Sequence, residues 1–481
     1  MIATMPTAAD LAPLVPELVL VGMAFVLLML DLFLDERRRI VTHVAAVATL
    51  VVVGALVVAG VGGHGTVLGG MFVRDTAADV LKVAILATSA LSMLYLWPFL
   101  RARELYKGEV AVLVMFATTG MMLLVSAGSL VMIYLGLEML ALCSYALVAI
   151  DRDSPLASES AIKYFVLGSL ASGLLLYGMS LVYGATGSLD LQVIAEAGRA
   201  GTSGTLLATG VVFMLAGVAF KFGGAPFHMW LPDVYTGAPT AVTLFVGSAP
   251  KLASFGMAYR LFEVGADGLD TQWQLLFAVV AVASLAIGNL AAMVQANFKR
   301  MLAYSTVSHV GFLFIGIAGG GEQGFAAAMF YAISYALMAV AAFGTIVVMS
   351  ARGFEADRVE DYRGLNARDP VMAALVLCVM ASLAGLPPFL GFWAKLAVLR
   401  AALDGGMLWL ALVGVVFAVV GAFYYLRVVR AMYFDAPEAT IPVSGASRPL
   451  RVLFGVNALA LLGLGLAWGP IMAWCQQAFA A

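Results

Sequence analysis

The chain is a succession of long apolar runs broken by short polar segments. A helix that crosses a bilayer needs about 20 mostly apolar residues. By that measure fourteen runs stand out, roughly 14–34, 40–61, 76–99, 109–126, 129–150, 161–185, 205–235, 239–264, 273–296, 300–318, 324–350, 371–403, 407–432 and 449–474. The seventh and the twelfth are too long for one plain span, and both contain proline. The strict apolar–polar alternation of a membrane barrel is absent. The pattern therefore predicts an all-α polytopic membrane protein of about 14 transmembrane helices.

Composition agrees. Charged residues are 11% of the 481 and hydrophobic ones 63%, against roughly 25% charged in a soluble domain. So few charges cannot cover a soluble surface, which excludes a soluble enzyme. The net charge of -2 gives no electrostatic case for nucleic acid. Cys143, Cys378 and Cys475 are far apart in apolar runs, so a disulfide framework, a zinc site or an iron–sulfur cluster is not expected. No basic residue precedes the first run, so a signal peptide is not expected and the first helix is expected to be retained. Gly60-Val61-Gly62-Gly63-His64-Gly65 fits a nucleotide-binding pattern literally, but it follows an apolar span and opens no helix, so it is rejected.

Loop charge orients the bundle. Of 26 Lys and Arg residues, only Arg74, Arg199, Arg260 and Arg400 fall in loops after even-numbered runs. Seventeen fall in loops after odd-numbered runs, among them Arg37, Arg38 and Arg39. The odd loops are therefore expected on the cytoplasmic side, with both termini opposite. The remaining five are lysines inside runs: Lys82, Lys163, Lys221, Lys251 and Lys395. Lys82 lies near the start of the third run, where it can snorkel to the interface. Asp31 lies near the end of the first and reads as a helix-end acid beside the arginines. Glu138 is about nine residues into the fifth run, roughly 14 Å along its axis.

A charge at that depth costs at least a few kcal/mol and is a functional candidate by default. The plainer alternative is a structural ion pair, but one carboxylate satisfies only one of Lys163, Lys221, Lys251 and Lys395. A buried lysine can lose its proton where arginine cannot, so lysines with a movable carboxylate suit proton transfer. His309 lies midway in the tenth run among Ser305, Thr306 and Ser308 and fits a proton wire; the alternative is a hydrogen-bonded core histidine. Haem is not expected, because His309 has no mate at matched depth. His228 is open between a structural and a functional role.

The seventh run reads Lys221-Phe222-Gly223-Gly224-Ala225-Pro226-Phe227-His228-Met229-Trp230. Pro226 removes a backbone donor and crowds the preceding turn, and two glycines loosen it. A break at membrane depth is predicted, with Lys221 in the last turn of the first half, where the dipole favours a cation. The twelfth run, Leu386-Pro387-Pro388-Phe389-Leu390-Gly391-Phe392-Trp393-Ala394-Lys395, shares the Pro-Phe-…-Trp order. The two runs are five helices apart and cross in opposite directions, which predicts inverted repeats of helices 4–8 and 9–13. The alternative is that the prolines only kink two helices. As one membrane domain (1–481), the chain then divides into three N-terminal helices (1–108), a first repeat (109–264), a second repeat (273–432) and a C-terminal helix (449–474).

Lys221 with Pro226-Phe227-His228-Met229-Trp230-Leu231-Pro232-Asp233 resembles the signature shared by the antiporter-like subunits of respiratory complex I and Mrp-type cation/proton antiporters. The continuation Val234-Tyr235-Thr236-Gly237-Ala238-Pro239-Thr240, then Gly247-Ser248-Ala249-Pro250-Lys251, is similar to the N-type subunits of bacterial NADH-quinone oxidoreductase. The resemblance implies that Glu138 and Lys221 are the acid and base of a first half-channel, with Lys163 modulating them. It implies that Lys251 is the central lysine and Lys395 that of the second half-channel. The eleventh run has no lysine, only Ser334 and Tyr335 as polar residues, and His309 is the substitute link. The resemblance further implies that NADH, FMN, iron–sulfur clusters and quinone belong to partner subunits and that this chain holds no cofactor. It implies other antiporter-like and small membrane subunits, and lipids, as partners, in a bacterial inner membrane with both termini periplasmic. Two other functions are open: a subunit of a cation/proton antiporter without redox coupling, and a membrane scaffold with no transport of its own.

Glu138→Ala is expected to reduce NADH-driven proton pumping more than Glu322→Ala, since Glu322 falls between two apolar runs. Rates measured in assembled complex check this, and equal rates for the two variants contradict the role given to Glu138.

Overall fold

The computed structural model describes residues 11–201, 204–437 and 446–480. Both chain ends lie outside these residues, and with them the expectation for the termini. Among the described residues thirteen helices are long and apolar enough to cross a membrane. They are α1 (Ala12–Asp31), α2 (Ile40–Val58), α3 (Thr76–Ala102), α4 (Gly108–Val125), α5 (Leu130–Val148), α6 (Pro155–Thr186) and the first half of α7 (Gly204–Phe222); then α8 (Thr240–Val264), α9 (Asp270–Met293), α10 (Phe298–Gly319), α11 (Gly321–Met349), α13 (Leu408–Phe434) and α14 (Arg448–Leu466). The twelfth run, α12, completes the set, and the structure splits it into α12a (Pro370–Ala384) and α12b (Leu390–Asp404).

The helices start where side chains can satisfy the first free N–H groups. Ser129 caps α5 by accepting from the Met132 amide, Ser154 caps α6 from Ala157, and Asn297 caps α10 from Arg300. Asp369 accepts from Met372 at the start of α12a, with Pro370 in the first helical position.

Burial sorts the helices. α8, α10 and α11 are almost wholly enclosed, whereas α2, α6, α13 and α14 bury only about a third of their spans. Exposed side chains on the outer helices, such as Ile162, Phe165 and Leu170 of α6, are apolar. That is the arrangement of a bundle whose solvent is hydrocarbon. The enclosed trio carries Lys251 and His309.

Three further features were not predicted. α8 is interrupted at Gly247-Ser248 and ends in a π-helical turn, Tyr259–Val264. The run 449–474 is two helices, because Gly469-Pro470 starts a second one, Gly469–Gln477. Between α2 and α3 lies a short antiparallel hairpin, Gly65–Val67 with Phe72–Arg74. Its three-residue strands are too short to leave an alternating pattern.

Lys82 corrects the reading of an interfacial, snorkelling lysine. Its side chain is fully enclosed, and Nζ lies 2.8 Å from Oε1 of Glu17 on α1. Asp31 does end α1. It accepts from Thr42 at 2.8 Å and stands against Gly108 at the start of α4, where a Cβ would meet its carboxylate.

The face carrying few basic residues is tied together by Arg260 and Asp75. Arg260, in the π-turn, donates through Nη1 and Nη2 to both Asp75 oxygens at 2.7 and 2.9 Å, and through Nε to the Val125 carbonyl. Asp75 also caps α3. Burial would raise its carboxyl, but the Arg260 guanidinium wins and holds it below the usual value. A carboxyl held low stabilises at every pH above its ordinary value of about 3.9, and the contribution fades only as pH falls through the lower folded value. Asp75→Asn is expected to destabilise by about 1–3 kcal/mol, because it strands a buried guanidinium while Asp75 itself is partly solvated. Thermal unfolding of the purified complex near pH 7 checks this, with a lower transition expected.

Candidate proton-transfer sites

The break in α7 follows from backbone accounting. A helix that ends at membrane depth exposes its last four carbonyls to hydrocarbon, and each needs a donor. Gly223 turns the chain with φ of 77°, a conformation that favours glycine. The Gly224 amide then reaches the Ala219 carbonyl at 2.8 Å. Trp230 Nε1 reaches the Phe220 carbonyl at 3.0 Å. Lys251 Nζ, from α8, reaches the Phe222 carbonyl at 2.7 Å and the Lys221 carbonyl at 3.4 Å. All four acceptors are thereby satisfied, two of them by one lysine.

The break in α12 repeats the device. Gly385 turns with φ of 84°. The Gly385 amide satisfies Ala381 and Ser382. Lys395 Nζ donates to the Leu383 carbonyl at 3.0 Å and the Ala384 carbonyl at 2.8 Å. In each break a cis X-Pro bond follows the turning glycine by the same interval, Ala225-Pro226 and Pro387-Pro388. The lysine that matches Lys395 by role is therefore Lys251 on the next helix, and not Lys221. This resolves the mismatch visible in sequence, where Lys221 precedes its proline and Lys395 follows its pair.

Lys221 sits in the last turn of the first half of α7, as predicted, with Nζ 5.9 Å from the Tyr145 ring centroid. Glu138 faces the same region from α5, close enough for its charge to act on Lys221, and accepts from Ser172 of α6 at 2.5 Å. An aromatic stack closes this side: Tyr145 meets Tyr164 edge-on at 4.6 Å, and Tyr164 stacks on Trp230 at 4.6 Å. Lys251 Nζ lies 5.5 Å from the Trp230 ring centroid. Glu138, Lys221 and Lys251 thus form one group.

Lys163 stands apart from it. It is half-exposed near the basic face, 2.8 Å from Glu159 and 2.9 Å from Asp233. Asp233, on the second half of α7 (Trp230–Gly237), also binds Arg300 at 2.9 Å. Lys163 belongs to a surface ion network on the α7–α10 side and not to the Glu138–Lys221 pair. His228 lies in the turn after the α7 break, its ring centroid 6.4 Å from that of Tyr304.

His309 is enclosed, with both ring nitrogens occupied. Nδ1 lies 2.7 Å from the Tyr331 hydroxyl of α11, and Nε2 lies 3.1 Å from the Tyr425 hydroxyl of α13. Tyr425 in turn shares a hydrogen bond with Ser305. Tyr335 donates to Thr306 at 2.8 Å. Each hydroxyl can both give and take a proton, so Ser305, Tyr425, His309 and Tyr331 form a continuous hydrogen-bonded chain. Lys395 points at the same helix, 5.1 Å from the Phe312 ring centroid, and Phe312 lies parallel to Tyr331. α11 therefore contributes Tyr331 where a lysine was missing. Sequence reading missed Tyr331 and Tyr425 because a tyrosine in an apolar run is usually core.

Among the described residues no group of three or more His, Cys, Asp or Glu is placed to hold a metal ion.

The family described as "NADH:quinone oxidoreductase/Mrp antiporter, TM" matches residues 127–421, the stretch that contains both breaks. The chain belongs to this family. It is 65% identical over 474 residues to an NADH-quinone oxidoreductase subunit N of Xanthomonas euvesicatoria, covering 98% of this chain and 97% of the relative. A subunit N of Thiobacillus denitrificans is 48% identical over 469 residues, covering 97% of each. Among solved structures, a chain of respiratory complex I from Thermus thermophilus matches with a TM-score of 0.81 and 30% identity, covering 95% of this chain and 98% of that one. A chain of the Mrp complex from a Dietzia species matches with a TM-score of 0.85 and 25% identity, covering 99% of this chain and 97% of that one.

Proposed function

We propose that the chain works as the N-type, antiporter-like subunit of a proton-translocating NADH:quinone oxidoreductase in a bacterial inner membrane. The observation that carries this is 65% identity with a subunit N over nearly the whole of both chains. It is a multi-pass membrane subunit that assembles with other membrane subunits of the complex. An Mrp-type cation/proton antiporter subunit is the second reading, favoured by the Dietzia fold match. The far lower identity there speaks against it. So does the donor set, since sodium prefers oxygen ligands and the two breaks present lysines.

Proton transfer is assigned to Glu138, Lys221, Lys251, His309 and Lys395, with Lys163 as a modulating group from the basic face. The two breaks belong to inverted repeats, 109–264 and 273–432, preceded by the helices of 1–108 and followed by the two helices into which 449–474 divides. In the first repeat Glu138 tunes Lys221, and Lys221 exchanges with Lys251 at the exposed end of the half-helix. In the second, Lys395 exchanges with the His309 chain, and water completes the gaps. A lysine that changes protonation also changes how it holds the carbonyls beneath it. Proton movement and the shape of the break are therefore linked, and partner subunits can drive one through the other. NADH, FMN, the iron–sulfur clusters and quinone are placed in partner subunits, with none bound by this chain. Both termini are placed on the periplasmic side.

Lys221→Ala in the native host is expected to leave a complex that assembles but reduces quinone and acidifies poorly. Purification followed by parallel assays of both activities checks this. Unchanged activities in assembled complex contradict the role of Lys221, and a chain that does not co-purify with an NADH-oxidising complex turns the assignment to the antiporter.

A further inference from the structure

The three N-terminal helices carry an acid–base pair that the mechanism above does not use. Glu17 of α1 and Lys82 of α3 are both enclosed, and their charged atoms lie 2.8 Å apart. Among the described residues neither Glu17 oxygen nor the Lys82 amine has another hydrogen-bond partner. The ammonium instead rests on the Phe72 ring, 4.9 Å from its centroid. A purely structural pair at this depth stabilises only when its remaining protons and lone pairs are satisfied. This one is left short of partners, so it invites a different explanation.

The pair also has a graded way out. Asp79 lies one turn before Lys82 on α3, on the same side of the helix. One Asp79 oxygen binds Arg74 at 2.8 Å, and the other lies 3.2 Å from His64 Nε2. Side-chain exposure rises along the series, from 0% at Lys82 to 18% at Asp79 and 54% at His64. Arg74 is enclosed and cannot release its proton, so it fixes Asp79 in place. α3 packs on α8, with Leu81 against Gly256, on the helix that carries Lys251.

We propose that Glu17 and Lys82 are a further proton-exchange site, open through Asp79 and His64 to the face with few basic residues. An added proton neutralises Glu17. Lys82 passes a proton to Asp79 and recovers one from Glu17, so the pair returns to its starting charge. Asp79 passes its proton to His64 Nε2, and His64 releases one to water. One proton enters and one leaves, with no other reactant.

The inference rests on the proton-translocation reading, and the test separates the two. Glu17→Gln, Lys82→Met and the double variant are made beside Lys221→Ala, and NADH-driven acidification is measured in assembled complex. The expected result is a several-fold fall in both singles and in the double. A structural pair behaves differently, because removing both charges relieves the stranded partner; recovery of the double to wild-type rates overturns the proposal. Loss in Lys221→Ala with unchanged Glu17 and Lys82 variants also overturns it while leaving the main reading intact. Unchanged rates in all variants overturn both. If the Glu17 and Lys82 variants do not assemble, Asp79→Asn carries the test: reduced acidification supports the route, and wild-type acidification overturns it.

Discussion

In hydrocarbon every backbone carbonyl needs a donor, and helices α7 and α12 each stop halfway across the bundle. Everything particular to this protein follows from how those stranded carbonyls are satisfied. Two are met at each break by a single lysine amine, Lys251 at Lys221 and Phe222, Lys395 at Leu383 and Ala384. The amine and the half-helix end need each other: the negative dipole end stabilises a cation there, and the cation completes the hydrogen bonding. A titratable group is thereby made part of the backbone's own support. In the proposed mechanism, a change of protonation and a change of helix geometry are therefore linked at these positions.

The two halves use the device differently. In the first half the lysine comes from the neighbouring helix, and a second lysine, Lys221, occupies the last turn beside Glu138. In the second half Lys395 belongs to the broken helix itself, and the adjoining relay is built from hydroxyls and one imidazole. A hydroxyl can both give and take a proton, so under the proposed mechanism the second half needs no embedded carboxylate. The enclosed helices α8, α10 and α11 lie between, which places these groups away from lipid.

Much of this was legible in the chain. Run length gave the spans, because the bilayer imposes one length on every helix that crosses it. Proline with adjacent glycine gave both major breaks. What stayed hidden was pairing between distant helices. Lys82 read as an interfacial lysine because its partner Glu17 is sixty-five positions away on α1. Arg260 read as a loop residue, although the π-turn carries it inward to Asp75. Lys163 read as buried, although its face of α6 meets Glu159 and Asp233 near the surface. Tyr331 and Tyr425 gave no signal, since only their convergence on His309 distinguishes them from ordinary core tyrosines. The Gly247 and Pro250 positions could have signalled the interruption in α8.

The central claim is that a lysine at a helix break works by gaining and losing a proton, and not merely by holding carbonyls. Lys251→Arg tests it most directly, because arginine keeps the charge and the donors but stays protonated. In assembled complex, NADH-driven acidification measured together with quinone reduction is expected to collapse in Lys251→Arg. Wild-type pumping by that variant would contradict the account, since a fixed cation would then suffice.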